Sequence, residues 1–526
     1  MAEPKEKLSL KAQGAWLLFA KVVGFAISFV LPLLIVRYLT KDDFGVYRQA
    51  FQFILNASSI IPLGFSMSAF YFLNRESGNR KAAILNILIF NFFVGGLACA
   101  GLYLYPQFVG NIYQSEVMTG LAPKMGVVIW LWTFSTFLEV VAIANQEAKL
   151  ATIFIVSAQF SKTVLMSAAV IIYTTVDAFL YAAMIQASLQ TIVLLIYLGN
   201  RFPGFWKSFS WTFFREQAYY AIPFGMAGIM WILQTDVHTY FVGYRFSEAE
   251  YAIYSVGVFQ LPLLAMLVES TTSVLISRMS ELQSRNEKRS IVELTVRAMQ
   301  KLSFFYFPAY AFMLITSYTF ITTLYTDKFA AAVPIFVINL TMLPFDIWIT
   351  DPIVRAYKEF GRLLLVLRIF ILVGLFTALW FGIQYFDLRG MISIVIVVGL
   401  VERIASTSFL LRKLEVSWKD LNLLKGIGKT AVVSAAAAVI TYFMYRQFRE
   451  FVPAVGENVV RYLLAEPKQS LVEFISGSAV LGLSFIVFAP IYILGMNFLG
   501  LIEQEEKDLI GKTFAKVKDI FGFRNP

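Results

Sequence analysis

The residues with most chemistry to offer in this chain are ionisable groups standing inside long apolar stretches. Lys21 falls within GAWLLFAKVVGFAISFVLPLLIV, and Lys162 within QFSKTVLMSA, where Ser161, Thr163 and Ser167 mark a polar helix face. Asp236 and His238 share one stretch, Glu269 lies in AMLVESTTS, and Asp346 in LPFDIWITDP. Arg368 stands in a later run, and Glu402 and Arg403 are neighbours in the next. An ammonium at the centre of a membrane-spanning helix costs about 2.5–3.5 kcal/mol on insertion scales, so such groups face a bundle interior or a water-filled cavity. Glu269 is deep enough to be a proton or sodium site. Arg368 and Glu402 are spaced to pair across adjacent helices. Asp346, between Pro344 and Pro352, sits where broken helix geometry frees backbone groups. Asp236 and His238, two apart, point about 160° from each other and do not form one ligand cluster. Lys21 also admits a second reading: it lies roughly 10 Å from its helix end at 1.5 Å per residue, within snorkelling reach.

Several chemistries are excluded at once. One cysteine, Cys99, and one histidine rule out an internal disulfide and a cysteine- or histidine-built metal centre. The stretches GIGKT and GKT have Leu423 and Glu506 where a P-loop needs its first glycine, so no ATP-driven engine is visible. No cofactor is implied. An integral-membrane glycosyltransferase or polymerase would need convergent acids, arginines or histidines in a large outer loop. The longest such loop, around residues 446–472, offers charge and no recognisable site.

The elements that hold these residues follow from hydropathy. The chain has 526 residues, 58% hydrophobic and 15% charged, against roughly 25% charged in soluble domains. Runs of spanning length occur at roughly 14–36, 49–73, 82–105, 121–143, 151–173, 176–198, 218–243, 251–276, 300–323, 331–354, 360–385, 390–411, 428–445 and 473–499. The reading is an all-α polytopic membrane protein of about fourteen transmembrane helices. The loops after even-numbered spans, such as NRESGNRK and LRKLEVSWKDLNLLKGIGK, are basic, whereas those after odd-numbered spans, such as TTVD, are poorer in Lys and Arg. The positive-inside rule then predicts both termini in the cytoplasm, in a plasma (inner) membrane. The net charge of +10 is thereby read as a topology signal and not as nucleic-acid binding. SRMSELQSRNEKRSIVELTVRAMQ predicts an amphipathic helix entering span nine, and the tail EQEEKDLIGKTFAKVKDIFGF a surface-lying one.

A repeat is hidden in the loops. LTKDDFGVY after span one aligns with FSEAEYAIY after span seven, pairing Thr40 with Ser247, Asp43 with Glu250, Gly45 with Ala252 and Tyr47 with Tyr254. Ser/Thr-x-x-Asp/Glu is a helix start of capping-box type. Each copy lies one span into a six-span block, which predicts two pseudo-symmetric six-helix lobes plus two C-terminal helices, with the substrate path between the lobes. The lobes are residues 1–198 and 199–411; residues 412–526 hold spans thirteen and fourteen and the tail.

Thr-x-x-Asp-Phe-Gly-x-Tyr followed by Gly64, and the central set Pro223, Asp236, Gly243 and Ser-x-x-Glu-Tyr-Ala-x-Tyr, resemble the polysaccharide repeat-unit flippases of the multidrug/oligosaccharidyl-lipid/polysaccharide exporter superfamily. Ala252 departs from the glycine that the second copy often carries. The resemblance implies flipping of a polyprenyl-diphosphate-linked oligosaccharide to the outer leaflet, ion-coupled, by alternating access, for surface polysaccharide such as capsule or lipopolysaccharide. Lys21 and Lys162 would stabilise the diphosphate by charge-assisted hydrogen bonds, with Arg37 and Arg48 at the outer mouth. Asp236, Glu269, Glu402, Arg368 and Arg403 would carry the coupling ion or serve as counter-charges. Expected partners are membrane lipid and polysaccharide-assembly proteins, the protein itself being a monomer. A cation-coupled multidrug exporter of the same superfamily is the rival reading. Such exporters favour acidic cavities and commonly need about twelve spans, so Lys21, Lys162 and about two further spans speak against one.

Overall fold

The computed structural model describes residues 10–75, 79–463 and 469–502, which form helices, 3₁₀ turns and short connections, with no strand among the described residues. The helices of the first half are α1 (Leu10–Tyr38), α2 (Lys41–Ile60), α3 (Phe65–Arg75), α4 (Arg80–Leu104), α5 (Gln107–Tyr113), α6 (Glu116–Ser135), α7 (Phe137–Ala144), α8 (Ala148–Ile172), α9 (Val176–Arg201), α10 (Trp211–Arg245) and α11 (Glu248–Gly257). Then follow α12 (Pro262–Ser284), α13 (Lys288–Tyr325), α14 (Val333–Leu340), α15 (Asp351–Ala356), α16 (Lys358–Tyr385), α17 (Leu388–Lys413), α18 (Lys425–Leu463) and α19 (Gln469–Phe498).

Among the described residues, eleven helical segments are long and apolar enough to cross a membrane, or thirteen if each of two bent pairs counts as one span. The protein is therefore an all-helical, multi-pass membrane protein. The remaining expected span coincides with α10, a continuous 35-residue helix whose Tyr219, Tyr220, Pro223, Gly225 and Gly228 dilute its apolar content.

Helix starts are written locally. Thr40, Ser115, Thr175, Ser210 and Ser247 each accept a backbone N–H of the first turn of the helix they precede, and such caps contribute about 1 kcal/mol apiece. Ser247 and Glu250 complete a reciprocal capping box. Both repeat copies thus open a helix in the same way, and both helices are then interrupted. α2 and α3 meet at 41°, and a break follows α11. The bend is set by Leu63 (φ 46°) and Gly64 (φ 78°), a left-handed pair that ends α2. The break precedes Pro262, which has no N–H to extend α11.

Two expectations on local structure are corrected. The segment read as one amphipathic helix entering span nine is divided. α12 runs to Ser284, Asn286 turns the chain with φ 56°, and α13 starts at Lys288 and continues to Tyr325. Span ten, read as a run at 331–354 with broken geometry near Asp346, is interrupted at more points. A 3₁₀ segment Asp327–Ala332, the short α14, a second 3₁₀ segment Leu343–Ile347 and α15 follow one another, because Pro344 and Pro352 each withhold a backbone donor. The predicted tail helix lies outside the described residues.

By packing the chain forms two units. The first comprises the described residues of Met1–Val258 and Leu372–Ile394, the second those of Phe259–Ile371 and Val395–Pro526. In the first, Phe65, Phe137, Tyr197 and Leu198 anchor a buried core from α3, α7 and α9. In the second, Tyr306, Ile353, Tyr357 and Phe360 do so. There α18 and α19 lie on α13, where the Tyr492 hydroxyl donates to the Phe304 carbonyl at 2.8 Å. The turn after α17 is tied to the start of α13 by Lys288 and Glu415 at 2.5 Å, and the ammonium holds the Glu415 carboxyl below the usual carboxylate range.

Candidate functional site

Helices α1 and α8 pack along one another and open a cavity of about 330 Å³ in the first unit. Their contributions follow helical spacing: Lys21, Gly24, Phe25 and Ser28 from α1, and Ile155, Ala158, Gln159 and Lys162 from α8. Residues three and four apart share a helix face, and the small Gly24 and Ala158 leave the volume that larger side chains would fill. Lys21 is exposed on this cavity and Lys162 is half-buried. The two lysines that sequence singled out thus line one cavity.

Leu55 of α2 also lines it, and α6, α7 and α9 add groups the sequence reading passed over. The Lys162 ammonium lies 4.5 Å from the centre of the Trp132 ring of α6, a cation–π contact of about 0.5–2 kcal/mol. Glu139 of α7 also lines the cavity, close enough for its charge and that of Lys162 to act on each other. Gln186 and Gln190 of α9 add amides, Gln186 donating to Gln190 at 2.9 Å. Signals for these existed. Glu139 is an acid within an apolar run, and the two glutamines are one helical turn apart. Chemically the cavity offers two ammonium groups against one carboxylate, with amide donors around them, the makings of a hydrated anion site.

The other expected residues lie elsewhere. Arg37 donates to the Leu33 carbonyl at 2.6 Å, closing the end of its own helix. Arg48 is exposed on α2, and neither arginine lines the lysine cavity. Asp236 packs within the first unit and accepts from Gln52 Nε2 of α2 at 2.8 Å. Beside it, Asn56 of α2 donates to the Tyr240 hydroxyl at 3.1 Å. His238 is buried, its Nδ1 2.8 Å from the Tyr254 hydroxyl, a satisfied polar group. Glu269 is exposed on α12 in the second unit.

Also in the second unit, Arg368 and Glu402 approach to 3.9 Å between α16 and α17, the pairing their spacing suggested. Arg403 binds the Phe345 carbonyl at 2.7 Å and pairs with the Asp346 carboxylate. The freed carbonyl of the broken span is thus satisfied by a guanidinium from α17, and Asp346 holds that guanidinium in place. Removing Arg403 strands both groups. Breaking a buried ion pair costs about 3–5 kcal/mol, and partial exposure here brings that to about 2–3 kcal/mol. Arg403→Ala is therefore expected to lower the thermal midpoint of the purified protein by several degrees, with Arg403→Lys losing less. An unchanged midpoint in the alanine variant would contradict this role.

The two repeat copies meet each other. α2 and α11 pack so closely that a Cβ on Gly45 would collide with the Glu248 backbone carbonyl, and the Glu248 carboxylate accepts from the Ser115 hydroxyl at 2.9 Å. A second close approach joins the α2–α3 bend to α10, where a Cβ on Gly225 would overlap the Leu63 carbonyl.

The arrangement has recognisable counterparts among solved structures. The lipid II flippase MurJ in an inward closed conformation aligns with a TM-score of 0.63 at 14% identity, covering 95% of this chain and 99% of that one. An inward-facing multidrug resistance MATE family transporter of the MOP superfamily aligns at 0.58 and 14% identity, covering 75% and 98%. A MOP superfamily transporter from Pyrococcus furiosus, described as having a binding pocket of reverse polarity, aligns at 0.53 and 14% identity, covering 78% and 97%. These likenesses define the class: the fold is that of MOP superfamily transporters. The model of the polysaccharide biosynthesis protein family matches residues 34–334, more than half of the chain, and the chain belongs to that family. No curated protein sequence matches it.

Proposed function

We propose that this protein flips a polyprenyl-diphosphate-linked oligosaccharide from the cytoplasmic to the outer leaflet for surface polysaccharide assembly. The observation that carries the reading is the placement of Lys21 and Lys162 on one cavity. A diphosphate crossing low dielectric needs fixed positive charge and hydrogen-bond donors, and the cavity supplies both. Family membership supports a polysaccharide role. The 95% of the chain aligned with a lipid flippase, against 75% and 78% with the MATE and Pyrococcus furiosus transporters, supports a lipid-linked cargo.

In the mechanism, Lys162 rests over Trp132 and near Glu139 when the cavity is empty, and the head group replaces these contacts on binding. Alternating access of two six-span lobes, residues 1–198 and 199–411, then turns the site from one face to the other, with both termini in the cytoplasm. A proton or sodium ion drives the cycle, and Asp236 and Glu269 are its candidate carriers. Arg37 and Arg48 attract the head group at the mouth. A multidrug exporter with cationic cargo gains nothing from two ammonium groups at its site.

The test is translocation by the purified full chain in liposomes. A fluorescent polyprenyl-diphosphate saccharide incorporated in both leaflets is expected to become wholly accessible to an external membrane-impermeant quencher, whereas protein-free liposomes retain a protected half. Ion-dependent efflux of an organic cation, without lipid translocation, would overturn the reading.

A further inference from the structure

The second unit holds another basic cavity, of about 550 Å³, between α13 and α18. We infer that it binds a lipid-borne phosphate, with Arg446 and Arg449 as the phosphate-holding pair. The two arginines are three apart on α18 and so share a face, and both line the cavity with Tyr318, Tyr442, Tyr445 and Glu450. The Arg449 guanidinium lies 4.1 Å from the centre of the Tyr318 ring, a cation–π contact that restrains it beside the cavity. Tyr445 is buried and held by Thr319, the two hydroxyls 2.7 Å apart. Among the described residues neither arginine forms an ion pair, and Glu450 forms none either. Two guanidinium groups against one carboxylate leave the cavity positive.

Position selects the ligand. Arg446 stands about 30 Å along α18 from Lys425 at 1.5 Å per residue, the thickness of a hydrocarbon core. The cavity therefore lies in the head-group layer of the face opposite Lys425 and Lys429, where phosphate is the abundant anion. A guanidinium fork matches phosphate oxygens in bidentate fashion. An arginine serving only as an interfacial anchor points into the head groups without a cavity behind it, whereas these two share one with an acid and three tyrosines. The phosphate can come from an anionic phospholipid or from a polyprenyl diphosphate.

The full chain, purified in detergent, is to be titrated with phosphatidylglycerol, with polyprenyl diphosphate and with phosphatidylcholine, bound lipid being counted by native mass spectrometry. In a chain whose lysine cavity is disabled by Lys21→Ala and Lys162→Ala, phosphatidylglycerol, polyprenyl diphosphate or both are expected to bind about tenfold more tightly than phosphatidylcholine, and the tighter of the two identifies the source. Adding Arg446→Gln and Arg449→Gln to that chain is expected to remove the preference, whereas Lys21→Ala with Lys162→Ala alone keeps it. Equal binding of phosphatidylcholine, or an unchanged preference in the glutamine variant, overturns the site. Should the glutamine variant fail to fold, Arg449→Lys decides: it keeps the charge and loses the fork, so undiminished preference there also overturns it. Failure of lipid translocation leaves this site standing, because its readout is binding at a separate cavity.

Discussion

Replacing Lys21 and Lys162 together by alanine is expected to abolish surface glycan assembly while the protein still reaches the membrane at normal level. Each ammonium contributes about 1.5–3 kcal/mol through a charge-assisted hydrogen bond to an ionised head group. Loss of both removes about 3–6 kcal/mol, a factor of roughly 10² to 10⁴ in head-group affinity. The single variants are expected to be partly active, since the remaining lysine, the amides of Gln186 and Gln190 and the cavity itself persist. Lys162→Ala is expected to be the more damaging, because Lys162 is the better positioned group. It is seated over Trp132 and faces Glu139, so less conformational entropy is lost when the head group arrives. The measurement is surface glycan per unit of membrane-inserted protein in cells relying on each variant. Normal glycan in the double variant would remove both lysines from the mechanism.

The second large effect is expected at Gly45. Its Cα lies against the Glu248 backbone, so even a methyl group has no room unless α2 and α11 separate. Overpacking of this kind costs about 1–3 kcal/mol, which is about 5- to 150-fold in the balance between a state that makes this contact and one that does not. Gly45→Leu is expected to cut lipid translocation at least about tenfold and to lower the thermal midpoint of the purified protein. Gly45→Ala should lie between, and Asp42→Leu, at an exposed position one turn earlier, should change neither. Wild-type translocation in Gly45→Leu would show that the close approach of the two repeat copies takes no part in the cycle. The asymmetry of the repeat now has a physical reason. Gly45 faces a backbone carbonyl and needs the missing side chain, whereas its counterpart Ala252 is buried with its methyl group accommodated.

Much of the fold was legible in the sequence, and the Lys21 cavity only in part. Apolar runs marked the spans because a helix in hydrocarbon must satisfy its backbone within itself, a local requirement. The hydroxyl at Thr40 and that at Ser247 marked two helix starts for the same reason, each cap reaching only to its own first turn. The break around Asp346 was marked by Pro344 and Pro352, whereas that at Asp327–Ala332 escaped because hydropathy averages over it. Glu139 escaped because one acid in an apolar run carries no label for the helix it faces.

The sequence by itself determined that this chain is a helical membrane protein, where its capped helices begin, and which ionisable residues stand inside apolar stretches. Only the tertiary structure decided which groups these residues meet: Lys21 and Lys162 share a cavity with Glu139, Asp236 accepts from Gln52, and Arg403 pairs with Asp346. The division has a cause. Hydropathy and capping act within one helix, whereas lateral pairing of helices in lipid rests on close packing at small residues such as Gly24 and Gly45, whose partners lie more than a hundred residues away.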